Sequence, residues 1–395
     1  MRILVLAGVW LAATVGARAC QTARPVEAWA CAELAFTAAA DYGHPIREVA
    51  LRVAFTHPSG DTLSVGGFWD GGRTWRARAA FPRAGAWTWA SRSSDAGLNG
   101  QSGTVDVVGA TGTDPYRTRG WLRVSGDRRH LTYGDGTPFF YLADTAWEAG
   151  WAAPPAAFET YLADRQAKGF DVVQIVVSTH QYNYPDLITN QAGQPYLSGT
   201  DRSRLNPRYF DSIDALVRRA NESGMAVALV PLWGTYSAAH AASTNHITLV
   251  SLDEALVQAA YIGARYAGSN VVWIVGGDQY YNTEERRAYW DAFARRLRAA
   301  SGSRHLMTVH PGGYSGSYAF WPVAPDWLDF HMYQGSHYDS PWYVTGDDGV
   351  RVEDAYGALR ANGGFSWEGA LQGYHQADPR PVLNAEANYE DLFGR

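Results

Sequence analysis

From about Val26 to Val108 the chain alternates apolar and polar positions in short stretches: Val49, Leu51, Val53 and Phe55 interleave with Glu48, Ala50, Arg52 and Ala54. A period of two places alternate side chains on opposite faces, so each stretch predicts a strand with one wet face. The stretches TWRARAAF and AWTWAS continue the pattern between glycine-rich turns such as GGFWDGGRT and DAGLNG. This spacing predicts an antiparallel, immunoglobulin-like β-sandwich over residues 20–112. The Gly- and Thr-rich segment GATGTDPYRTRG, 109–120, contains the expected linker, 113–120.

The rhythm then changes. After a short hairpin around LRVSGDRRHLTYGDG, continuous apolar runs alternate with helix-like segments. Seven strands are predicted: PFFYLAD (138–144), DVVQIVVS (171–178), MAVALVPLW (225–233), VVWIVGGD (271–278), HLMTVH (305–310), WLDFHMY (327–333) and PVLNAEA (381–387). Continuous rather than alternating apolar runs fit parallel strands covered on both faces. Helix signals fill the gaps: Asn206 before Pro207 as cap and first residue, Gly224 as a stop, Ser251 with Glu254 as a capping box, and Asn282 with Glu285 in the same spacing. Strand followed by helix, repeated, predicts an α/β fold, a (β/α)8 TIM-type barrel over 121–395. Only nine residues follow Glu386, whereas a helix alone takes roughly 11 or 12. The expectation is therefore a barrel truncated after its seventh strand, with a genuine seven-stranded barrel as the alternative.

Composition narrows the function. With 395 residues, 46% of them hydrophobic, the chain can bury a core large enough for two domains. A net charge of −6 with scattered basic residues leaves no footprint for nucleic acid, so a neutral or mildly acidic ligand fits better. Sixteen Trp and 23 Tyr could offer flat faces to sugar rings, although large aromatics serve mostly as core. The N-terminus reads as an export signal over 1–19: Arg2, an apolar stretch from Ile3 to Val15, then Ala17-Arg18-Ala19 as a small-residue cleavage site. No later segment reaches the roughly 20 apolar residues of a membrane span. The two cysteines, Cys20 and Cys31, make neither a disulfide framework nor a zinc spacing. Cys20, directly after the cleavage site, is a candidate lipid anchor, for which Ala17 and Arg18 make a poor lipoprotein box. The expected location is periplasmic or extracellular; oligomeric state is not legible.

Two carboxylates stand where barrel chemistry sits, at C-terminal strand ends. Asp278 closes NVVWIVGGD after the fourth strand, and Glu386 closes PVLNAEANYE at the seventh. Glycosidic hydrolysis takes such a pair, one carboxyl giving a proton and the other attacking or activating water. The structural alternatives are an Asp278 that caps the following helix and a Glu386 held in a salt bridge. Further groups ring the same mouth as candidate substrate contacts: Asp144 and Trp147, His180 and Tyr182, Trp233, His310, then His331, Tyr333 and Gln334. Asn384 alternates with Glu386, so both are expected to point inward, and Glu390 falls in the rim loop. No cofactor is implied. A metal hydrolase using His180, His310, His331 and Asp144 is a rival without an HExxH-type spacing to support it.

The segments FFYLADTAWE, YLADRQAKGFDVVQIVV, VVWIVGGD and PVLNAEANYE resemble the apiosidase-like catalytic domain of glycoside hydrolases. The stretch FTHPSGDTLSVGGFWDGGRTWRARAAFPRAGAWTW resembles the β-sandwich often found before that domain. Together the resemblances cover most of the chain from about residue 26. The order of the carboxylates also resembles the retaining barrel glycosidases, which implies Asp278 as acid/base and Glu386 as nucleophile. Where many of those enzymes carry Asn-Glu after the fourth strand, this chain has Gly277-Asp278. The resemblance implies a glycoside hydrolase of polysaccharides or oligosaccharides, with plant cell-wall material and apiose-bearing pectic side chains among the implied substrates. A non-catalytic carbohydrate-binding protein with an incomplete barrel is the alternative.

Overall fold

The computed structural model describes residues 25–178, 188–233, 250–277, 281, 283–312, 316–321, 323–334 and 379–386. The alternating stretches form seven strands: β1 Val26–Glu27, β2 Cys31–Thr37, β3 Leu51–Thr56, β4 Thr62–Trp69, β5 Thr74–Ala80, β6 Gly85–Ser93 and β7 Ser102–Val108. They join in the order β1-β7-β6-β3-β4-β5-β2. In β3, Leu51, Val53 and Phe55 are buried while Arg52, Ala54 and Thr56 face outward, as a period of two requires. The sheet curls into two layers, because Phe36 of β2 meets Trp89 of β6 edge to face at 5.8 Å although these strands lie far apart in the order. A short helix, α1 Pro45–Glu48, bridges β2 and β3. Cys31 is disulfide-bonded, and the one other cysteine of the chain is Cys20, outside the described residues.

Helix α2, Pro115–Thr118, leads into a three-stranded antiparallel sheet of β8 Arg123–Val124, β9 Leu131–Thr132 and β10 Pro138–Phe139. The stretch 138–144 expected to be one barrel strand is therefore divided. Phe139 turns into an aromatic cluster with Tyr116 and Tyr133, at 6.0 and 5.2 Å, and only β11 Ala143–Thr145 joins the barrel.

The barrel wall continues with β12 Val172–Val176, β13 Ala226–Val230, β14 Val271–Ile274 and β15 Met307–Thr308, all parallel in the order β11 to β15. A second parallel pair follows, β16 His331–Gln334 with β17 Val382–Glu386. The side chain of Thr308 donates to Phe330 O at 2.7 Å and Asp329 N donates to Met307 O at 2.8 Å, which ties this pair to β15. Among the described residues no hydrogen-bonded pairing joins β17 to β11. The result is a nearly closed seven-stranded barrel.

Helices α3 Ala149–Ala152, α4 Pro155–Ala167, α5 Pro207–Glu222, α6 Leu252–Arg265, α7 Glu284–Ser301 and α8 Ser317–Phe320 accompany the strands. Asn206 caps α5 by accepting from Arg208 N, and Gly224 ends the turn after it at φ +77°. Ser251 and Glu254 form the expected capping box. For α7 the cap is Thr283, which accepts from Arg286 N, one residue beyond the expected Asn282.

A buried ionic network joins the two halves. Asp214 of α5 takes Arg78 of β5 at 2.8 Å and Arg265 of α6 at 3.0 Å, while Arg78 also holds Glu33 of β2 at 2.9 Å. Phe68 of β4 lies under both guanidinium groups, 4.9 and 5.0 Å from its ring centre. Such a cluster persists only because every charge in it finds partners.

Candidate active site

The last residue of β17, Glu386, is 6% exposed and faces the barrel interior. Gln334, at the end of β16, donates through Nε2 to its Oε2 at 2.6 Å. Trp147, just after β11, donates through Nε1 to Oε1 at 3.4 Å. His310, fully buried after β15, places Nε2 3.4 Å from Oε2. Thus strand ends one, five, six and seven converge on one carboxylate.

The proton inventory of the His310–Glu386 contact follows from a neighbour. His310 Nδ1 lies 3.0 Å from Pro311 O, an acceptor only, so Nδ1 carries hydrogen. Nε2 and Oε2 then meet favourably only with a proton between them, either on the imidazole or on the carboxyl.

Aromatic rings build the wall beside the carboxylate. Trp147 and Trp233 lie 5.0 Å apart, and His310 sits 5.4 and 5.7 Å from them. Trp233 is bridged in parallel register to Gly277. A Cβ on Gly277 would come within 2.3 Å of the Trp233 ring, and one on Gly276 within 2.8 Å of Trp290. The Gly-Gly pair before Asp278 is therefore a packing requirement. Asp278 lies outside the described residues, as do His180, Tyr182 and Glu390.

Several expected contacts do not point into the barrel interior. Asp144 shares register with Val173, and its neighbour Thr145 with the inward-facing Gln174, so Asp144 points outward. There it pairs with Arg165 and accepts from Tyr161 Oη at 2.9 Å, both on α4. Burial, then the Asp144 charge, push the Tyr161 phenol well up. His331 and Tyr333 occupy the face of β16 opposite Gln334; His331 Nδ1 lies 2.9 Å from Ser317 Oγ of α8.

Asn384 does not share the inward face. The register slips between Tyr333, paired with Asn384, and Gln334, paired with Glu386, which leaves Ala385 as the extra residue of a bulge. The bulge breaks the period of two, so Asn384 is exposed while Glu386 is buried. Its Oδ1 still accepts from Glu386 N at 3.3 Å and so braces the strand end. Gln174 of β12 went unnoticed in the sequence: it is buried and donates to Ala385 O at 3.0 Å, crossing the interior from the second strand to the seventh. The one visible signal was a glutamine inside the apolar run DVVQIVVS.

A cleft of about 540 Å³ opens between β11 and β17, with Asp144, Gln174, Asn384 and Glu386 on its wall and Arg165 and Lys168 among the residues that line it. Among the described residues no three His, Cys, Asp or Glu side chains stand together as a metal site, and no helix is long and apolar enough to cross a membrane.

A nearly closed parallel barrel with a braced, buried glutamate at its C-terminal mouth is the arrangement on which glycoside hydrolases build their sites. The model of the apiosidase-like catalytic domain matches residues 125–394, and the chain belongs to that family. A second model, a domain of unknown function named DUF5060, matches residues 25–94. Among solved structures, a glycoside hydrolase family 5 protein from Bacteroides vulgatus is 26% identical at a TM-score of 0.53, over 71% of this chain and 56% of that one. Another, described as a glycoside hydrolase, is 26% identical at a TM-score of 0.55, over 71% and 59%. A candidate glycoside hydrolase from the same Bacteroides species shares the fold at a TM-score of 0.63 with 23% identity, over 78% and 60%. The chain thus spans 56% to 60% of the length of these structures. None of the curated proteins matches it significantly.

Proposed function

We propose that the chain hydrolyses glycosidic bonds by a retaining mechanism, with Glu386 as nucleophile and Asp278 as acid/base. The observation that carries this reading is the convergence of Gln334, Trp147 and His310 on the Glu386 carboxylate at the end of the seventh strand. Two donors orient its oxygens, and the aromatic wall gives a sugar ring an apolar face. Support for Asp278 comes from its neighbour: Gly277 is bridged to Trp233, whose ring packs against Trp147 and His310, both in contact with Glu386. In the first step a Glu386 oxygen attacks the anomeric carbon while Asp278 passes its proton to the leaving oxygen. In the second, water attacks the same carbon as Asp278 takes its proton, and Glu386 is released.

Glu386→Gln should abolish turnover of an activated glycoside while leaving the fold intact by circular dichroism. Product followed by NMR should first appear with the substrate's anomeric configuration; initial inversion would remove Glu386 from the nucleophile's role. For substrate, the family's name favours an apiose-bearing glycan, which release of free apiose from defined oligosaccharides would test. Export fits the disulfide at Cys31, since such bonds persist in oxidising compartments.

A further inference from the structure

Away from Glu386, a groove of about 610 Å³ runs between the β-sandwich and helices α6 and α7. The sandwich wall supplies Arg52 and Arg92, the barrel wall supplies Arg296 of α7, and no Asp or Glu lines it. Arg52 and Arg92 are direct partners in the antiparallel register of β3 and β6. Their side chains therefore stand on one face with Cβ atoms about 5 Å apart, and like charges so placed destabilise a sheet. An anion seated between them would turn that repulsion into attraction.

The three cations are not equivalent. Arg52 is fixed, donating to Ser64 Oγ at 3.0 Å and to Ala299 O at 2.9 Å at the end of α7. Arg296 lies one turn before Ala300, and both line the groove, so Arg296 shares the helix face turned toward the sandwich. Neither Arg92 nor Arg296 makes a hydrogen bond or ion pair among the described residues, whereas Arg47, at the groove's edge, is neutralised by Asp253 at 2.7 Å. Opposite Arg92, across Arg52, the strand carries Gly66 and then Gly67, which leave the floor without side chains. Half-buried Trp69 adds an aromatic surface, its Nε1 already spent on Gly72 O at 2.7 Å.

Guanidinium groups bind carboxylates through paired N–H donors, and a row of them along an open, elongated groove matches an extended ligand bearing several carboxylates better than a single ion. We propose that this groove is a second glycan site, separate from the barrel mouth, that holds an acidic, uronate-bearing chain through Arg92, Arg296 and Arg52. That the ligand is a glycan rests on the glycoside-hydrolase reading; that it is anionic rests on the groove alone.

The test is calorimetric titration of the full chain carrying Glu386→Gln, with an oligogalacturonate, with the same oligosaccharide after carboxyl reduction, and with a sulfated oligosaccharide of similar length. The acidic chain should bind in preference to its reduced form and weaken as salt rises. Adding Arg92→Gln and Arg296→Gln together should lower affinity for the acidic chain about tenfold or more, with no change for the reduced one. Thermal stability should not fall, because a repulsive pair is relieved. Absent or salt-insensitive binding of the uronate chain, equal binding by the double variant, or tighter binding of the sulfated ligand would each overturn the proposal. A chain with native Glu386 and both arginines replaced should still hydrolyse a neutral aryl glycoside, which separates the two readings. In the unmodified chain, turnover without groove binding sinks only the groove, and groove binding without turnover sinks only the catalytic assignment.

Discussion

Replacing Asp214 by Asn removes the single negative charge that Arg78 and Arg265 share at the junction of sandwich and barrel. The three residues are 5%, 3% and 0% exposed, so water cannot stand in for the lost carboxylate. Burial alone would raise this carboxyl, but Arg265 and then Arg78 overcome it and bring it down to about 2. Against an unfolded value of about 3.9, that depression corresponds to roughly 2 to 3 kcal/mol of stability at neutral pH. Asn also leaves two guanidinium groups buried with less compensation, and breaking a buried pair typically costs about 3 to 5 kcal/mol. Glu33, Asp70 and Asp211 remain nearby and blunt the loss, so the expected cost is about 3 kcal/mol. Urea denaturation at pH 7 should show it as a lower midpoint at unchanged slope. The sign with pH is fixed: a depressed carboxyl stabilises above its unfolded value and loses that contribution as pH falls from about 4 toward 2. The native chain should lose stability more steeply than Asp214→Asn across that window. A variant within 1 kcal/mol of the native chain at pH 7, or parallel pH curves for the two, would refute the reasoning.

Three further outcomes follow from the geometry. His310→Gln keeps a polar group near Glu386 but removes the imidazole nitrogen 3.4 Å from its carboxylate, and kcat should fall roughly 10- to 100-fold with little change in the unfolding midpoint, as loss of a polar contact to a charged group implies. Gly277→Ala drives a methyl into the Trp233 ring, so about 1 to 3 kcal/mol of stability should be lost along with the ring contact of the Trp147–Trp233 pair, readable in near-ultraviolet circular dichroism. His305, buried between Trp121 and Trp273 with Nε2 on Ser269 O, is held by that burial down to about 4. The unfolded chain takes up its proton near pH 6.5 and the folded one does not, so stability should drop by up to about 3 kcal/mol between pH 6.5 and 4, and His305→Phe should flatten that slope in denaturation curves.

Much of the architecture was legible because it depends on local period. The alternation of Leu51, Val53 and Phe55 with Arg52 and Ala54 specified a one-sided sheet, and the unbroken run Val271 to Ile274 a strand buried on both faces. Capping by Asn206 and by Ser251 with Glu254 was equally readable, since a cap involves residues two or three positions apart. Glu386 stood out as a carboxylate at the end of an apolar strand.

Contacts across the barrel were decided by tertiary structure. No spacing in the chain reveals that Trp147, His310 and Gln334 meet one carboxylate, because they come from strands 239, 76 and 52 residues distant from it. Period two placed Asn384 beside Glu386, but one bulged residue, Ala385, turned it outward. The register of β11 with β12 pairs Asp144 with Arg165, at the edge of the cleft that also holds Glu386. Sequence thus determined which elements form and which faces they bury, since those follow from neighbours along the chain. Which side chains share a site, and which charges share the domain junction, followed from register and packing between segments far apart in sequence.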